Sequence, residues 1–169
     1  MKNQITLFLL LLSTFSFSQN KNKIDLEKLK TKVYQLVNEE RSNNDRKLLG
    51  LDAHLKKAAD DHAKYIAKAQ TLSHEQTDAK KQSPKERVSF YGGNSFVLVG
   101  ENLLFTSIKD QIYTETDLDA LALKMFNLWK KSPNHLKNIL DHQYFYTEIG
   151  FSIDWENKKI YAVQLFGAK

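Results

Sequence analysis

Apolar residues recur along this chain in two rhythms, one helical and one of strands. From Asp25 to about Arg41 they fall at Leu26, Leu29, Val33, Leu36 and Val37, steps of three and four that predict an amphipathic helix. Ser42-Asn43-Asn44 ends it. A loop through Leu48, Leu49 and Leu51 leads to Asp52, a predicted N-cap. A second helix then runs to about Gln70, with Leu55, Ala58, Ala59, His62, Ala63 and Ile66 on one face. Its alanines predict the close approach of another element. His62 lies on this apolar stripe and is read as a hydrogen-bonded core or supporting histidine rather than a ligand.

Beyond a polar stretch, Ser83-Pro84 predicts a cap followed by proline at the first helical position, and so a short helix through Glu86, Arg87 and Val88. Gly92-Gly93-Asn94 is a turn. Phe96 to Phe105 is then almost continuously apolar, which predicts a strand. Leu118 to Lys131 reads as a third long helix packing through Leu121, Met125, Leu128 and Trp129. After a corner, Ser132 to Leu140 starts another helix, with Ser132 as N-cap and Pro133 next. Residues 146–153 and 159–166 alternate in period two around Asp154-Trp155-Glu156-Asn157, a β-hairpin. Helices first and a hairpin last, with one earlier strand, predict an α+β fold in which helices pack on an antiparallel sheet.

Charge and composition narrow the class of protein. The chain of 169 residues is long enough for one domain with a proper core. With 41% hydrophobic and 27% charged residues, it reads as an ordinary globular chain. The net charge of +5 comes from scattered lysines with no basic block interleaved with aromatics, which argues against a nucleic-acid partner. Lys2, the apolar run Ile5 to Leu12 and the small residues Ser16 and Ser18 flanking Phe17 form the pattern of a secretory signal peptide. Residues 1–18 are accordingly expected to be removed, so that the mature chain starts near Gln19, is secreted or periplasmic, and keeps no integral membrane segment. There is no cysteine, so the core alone holds the fold.

Two residues stand out chemically. Glu101 lies inside the apolar run, and a buried carboxylate without partners costs several kcal/mol, so it needs a donor, a cation or a solvent-filled cavity. The alternative is a strand edge with Glu101 in water. His135 lies in the first turn of the helix that begins at Pro133, one turn before Ile139. The partial positive charge of a helix N-terminus disfavours the imidazolium there, leaving a neutral ring able to ligate a metal or accept a proton.

These segments together resemble a CAP domain, the fold of cysteine-rich secretory proteins, antigen 5 and plant pathogenesis-related proteins, in its bacterial branch. The resemblance is carried by VNEERSNN, LGLDAHLKKAADDHAKYIA, LSHEQ, VGENLL, LWKKSPNHLKNIL, TEIGF and VQLFG, in that order, over about residues 29–167. It implies a three-layer α-β-α sandwich with a central antiparallel sheet, residues 19–28 forming a lead-in and residues 29–169 the domain. It also implies a cavity lined by two histidines and two acidic residues, whose histidines can hold zinc or another divalent metal. His74 in LSHEQ and His135 in SPNH match the histidines, and Glu101 in GEN the first acid. The second acid is not reproduced after Trp129, where Lys130, Lys131 and Ser132 stand; Glu148 in TEIGF is its stand-in by position. Two function classes follow: an extracellular binding module for a lipid, glycan or protein, or a metal-assisted hydrolase of peptide or cell-envelope substrates with Glu101 and Glu148 as its candidate catalytic groups. The missing acid favours the first.

Overall fold

The computed structural model describes residues 23–169; the expected signal peptide lies outside them. The elements in order are α1 (Leu26–Asn43), β1 (Gly50–Leu51), α2 (Ala53–Ala69), α3 (Pro84–Phe90), β2 (Leu98–Ser107), α4 (Glu115–Lys130), α5 (Pro133–Leu140), β3 (Tyr146–Asp154) and β4 (Lys159–Ala168). The sheet order is β1-β3-β4-β2. β4 pairs antiparallel with β2 on one side and β3 on the other, while the two-residue β1 pairs parallel to the start of β3. The loop expected at Leu48–Leu51 thus contains one short parallel pairing, too brief to leave an alternation in the sequence.

Local chemistry sets the helix starts. Asp25 accepts from the Lys28 amide, and Asp52 from those of His54 and Leu55. Ser83 and Glu86 form a reciprocal capping box at α3. A second box, Thr114 with Asp117, starts α4 at Glu115, one turn before the Leu118 expected from apolar spacing. The buried stripe of α4 is Leu118, Leu121, Ala122, Met125, Phe126 and Trp129. Leu128, expected on that stripe, is 43% exposed, because it falls a full residue step, about 100°, from Trp129.

Two apolar layers form on the two faces of the sheet. On one, α1, α4 and α5 pack through Leu29, Val33, Met125, Trp129 and Ile139 onto Leu104, Ile149, Ala162 and Phe166. On the other, α2 and α3 pack through Leu55, Ala59, Ala63, Ile66 and Val88 onto Leu103, Val163 and Leu165. This is the α-β-α sandwich. Arg41 of α1, fully buried, ties the layers' ends together: it donates to the carbonyls of Lys47 (2.7 Å), Ile139 (2.6 Å), Asp141 (2.9 Å) and Tyr144 (3.3 Å).

The alanine face of α2 makes the contact that its sequence predicts. A Cβ at Gly150 of β3 would collide with the backbone carbon and oxygen of Ala59, so helix and strand touch without side chains between them. Gly150→Ala is therefore expected to destabilise the protein by at least the ~1–3 kcal/mol of core overpacking, because backbone has to move. Urea denaturation measures it, and an unchanged midpoint would contradict this packing.

Candidate functional site

β2 is an edge strand, and its alternation sends Glu101 to the α2/α3 face and Asn102 to the other. Glu101 nevertheless avoids water, with a side chain only 1% exposed. Its two oxygens have different partners. Oε1 meets Nδ1 of His74 at 2.9 Å, and Oε2 accepts from Nη2 of Arg87 at 2.6 Å. The cation that a carboxylate in an apolar strand requires is thus Arg87 of α3, a fully buried residue. The same guanidinium donates through Nη1 to the carbonyls of His74 (3.0 Å), Lys81 (3.2 Å) and Gln82 (3.0 Å).

His74 lies on the loop between α2 and α3, with 58% of its side chain exposed. Its hydrogen bond to Glu101 holds its pKa above the usual histidine value. His62 of α2 behaves as its apolar stripe predicts. It is fully buried, donates from Nε2 to the Ser73 carbonyl (2.8 Å), and accepts at Nδ1 from Gln76 (3.1 Å). Nε2 also lies 3.7 Å from Glu101, and burial pushes the His62 pKa down. A neutral His62 therefore braces the loop that carries His74.

His135 reaches this end of the sheet from the opposite layer. Asn102 donates to the His135 carbonyl (3.1 Å), while Asn138 donates to the Glu101 carbonyl (3.2 Å) and to Asn102 Oδ1 (2.9 Å). α5 is thus fastened to β2 beside Glu101. The His135 Nδ1 is buried with no hydrogen-bond partner among the described residues. Its pKa is depressed, first by burial and then by the charge of His74. The direction matches the expectation, but its causes are burial and the His74 charge rather than the helix start. Ser132 occupies the cap position with extended backbone yet makes no side-chain cap bond, contrary to expectation.

Glu148 lies elsewhere. It pairs across Leu165, the same β4 residue that pairs with Glu101, so the carboxylates share one row with a strand between them. It is buried, with Lys30 Nζ at 4.0 Å and one 3.4 Å bond from the Ile149 amide. The structure therefore joins His74 to Glu101, ties α5 with His135 to the same strand, and leaves Glu148 one strand away on the same face, with Lys30 as its nearest cation. Among the described residues no group of three or more His, Cys, Asp or Glu is disposed to hold a metal ion. A groove of about 1180 Å³ does exist, but it runs between the start of α1, Ile112, Tyr113 and Trp155, away from this site.

Residues 34–166 match the family model described as CAP: Cysteine-rich secretory protein family. The chain belongs to the CAP family. Solved structures share its fold. An outer surface protein from Borrelia burgdorferi matches with a TM-score of 0.70 and 23% identity, over 86% of this chain and 96% of that one. An extracellular protein containing a SCP domain from Bacillus anthracis matches with 0.62 and 22%, over 85% of this chain and 41% of that one. NaASP2, solved with Zn2+, matches with 0.58 and 14%, over 86% and 81%. No curated protein matches the chain. No helix among the described residues is long and apolar enough to cross a membrane.

Of the residues around Glu101, Arg87, Gln76, Asn102 and Asn138 are not among the site residues that the sequence points to. The signal for Arg87 was the need of Glu101 for a donor, but 25 lysines and arginines compete for that role.

Burial raises the pKa of Glu148 above the ordinary carboxylate value, so the folded protein holds its proton to higher pH than the unfolded chain. Its ionisation therefore subtracts stability as pH rises through and beyond that value. Glu148→Gln is expected to raise the melting temperature at pH 7, with a gain that shrinks towards pH 4. A gain that grows on acidification would contradict the assignment.

Proposed function

We propose that this CAP domain is an exported binding module whose exposed His74, with His135 beside it, takes a divalent metal weakly, rather than a hydrolase. The observation that carries this is the double engagement of Glu101. One oxygen meets His74 and the other accepts from buried Arg87, so the carboxylate faces protein partners rather than an open position for an attacking water. Glu148, against Lys30, does not stand in for it. Export is supported by the signal-peptide pattern at residues 1–18 and by fold neighbours described as an outer surface and an extracellular protein.

The residues present suit a two-nitrogen metal site. A histidine whose Nδ1 faces a carboxylate offers Nε2 on its opposite edge, the usual arrangement of a zinc-binding histidine. His135 adds a buried ring nitrogen with no partner among the described residues. When bound, the metal would supply Lewis acidity, or an anchor for a polar group of a lipid, glycan or protein ligand. The chain's own residues hold His74 by Glu101 and hold α5 by Asn102 and Asn138.

Zinc calorimetry at about pH 7.5 and pH 5.5 tests this, since protons compete for imidazole near its ordinary pKa of ~6.5. Binding is expected to weaken at the lower pH, and to weaken at least tenfold in His74→Ala and in His135→Ala. Zinc-dependent cleavage of a peptide or glycan library, lost in Glu101→Gln, would overturn the binding-module reading.

A further inference from the structure

We infer that Arg87 is the positioning residue of this site, and that it decides which edge of the His74 ring faces outward. A guanidinium has five donors and no acceptor. Arg87 is fully buried, so water does not reach it to relieve a mismatched neighbour. Any group placed against Nη2 must present an oxygen, and Glu101 Oε2 does so at 2.6 Å. That fixes the carboxylate orientation and turns Oε1 to His74 at 2.9 Å. Facing an acceptor, Nδ1 of the neutral ring must carry the hydrogen, which leaves the lone pair on Nε2.

The other side of the contact is under the same control. Nη1 of Arg87 holds the carbonyl of His74 itself and those of Lys81 and Gln82. One side chain therefore sets both the carboxylate and the loop bearing the ring. Lysine would bring the charge without the fork that reaches all four oxygens. His62 and Gln76 support the loop from below, but neither has a hydrogen bond to Glu101. Arg87 thus selects the His74 tautomer through Glu101. The consequence for metal binding rests on the function proposed above; the tautomer does not.

A substitution at Glu101 turns this into a measurement. In Glu101→Gln, Arg87 still demands an acceptor and takes the amide oxygen, so the amide NH2 points at His74 Nδ1. The ring must then accept there and move its hydrogen to Nε2. Long-range 1H–15N spectra of metal-free, histidine-labelled protein at about pH 9, above the ordinary imidazole range, report the tautomer directly. The expected result is Nδ1–H in the parent and Nε2–H in Glu101→Gln. In Arg87→Met combined with Glu101→Gln the amide is released, and the Nδ1–H share rises again. A His74 that stays Nδ1–H in Glu101→Gln overturns the proposal, as does a double variant no different from the single one. Should the double variant not fold, the single variant still decides. Zinc affinity should fall at least tenfold in Glu101→Gln, since the lone pair of Nε2 is lost, and recover in part in the double variant. A parent that binds no zinc but shows the tautomer change refutes the metal reading and leaves the role of Arg87 standing.

Discussion

A carboxylate shut inside an edge strand is the constraint from which this site is built. Taking such a charge out of water is tolerable only with a close countercharge and filled lone pairs, and losing one partner of a buried pair costs roughly 3–5 kcal/mol. Glu101 satisfies the condition through Arg87, and this dictates where α3 lies, because the guanidinium must arrive from the α2/α3 face. The loop of His74 follows, since Nη1 of Arg87 donates to its carbonyls, while Nε has no partner among the described residues. Residues that look like a surface loop in the sequence are thereby tied to the sheet by a buried cation.

The opposite layer solves a similar problem with Arg41. Its guanidinium takes four carbonyls from the ends of loops and of α5, with no acidic partner among its hydrogen bonds. The two buried arginines bracket the sheet, one per face. Between them, Asn102 and Asn138 fasten the start of α5 to β2, so that His135 approaches from one layer while His74 is held by the other. The site therefore depends on the stacking of both helical layers, which explains why its residues come from chain segments far apart in sequence.

Periodicity made most of the fold legible. The stripes of α1 and α2, the hairpin of β3 and β4, and the caps at Asp52 and Ser83 are local features set by neighbouring residues, although the cap at Ser132 does not form. β1 was illegible because two residues hold no period. The start of α4 was misplaced because a polar capping box precedes its first apolar residue. At the site, the resemblance supplied His74, Glu101 and His135, and physical reasoning supplied the demand of Glu101 for a cation. Neither supplied the identity of Arg87, since a donor on a separate helix leaves no spacing signature in the chain.

The register of the sheet also limits what the site does. Glu101 and Glu148 both pair with Leu165 and point to the same face. An intervening strand separates them by about two strand spacings, or ~9–10 Å between backbones. Each has found its own partner, Arg87 for one and Lys30 for the other. Arg87 is itself fully buried beside Glu101. The geometry that pairs Glu101 with Arg87 thus also holds His74 and sets the carboxylates of Glu101 and Glu148 apart on the same sheet.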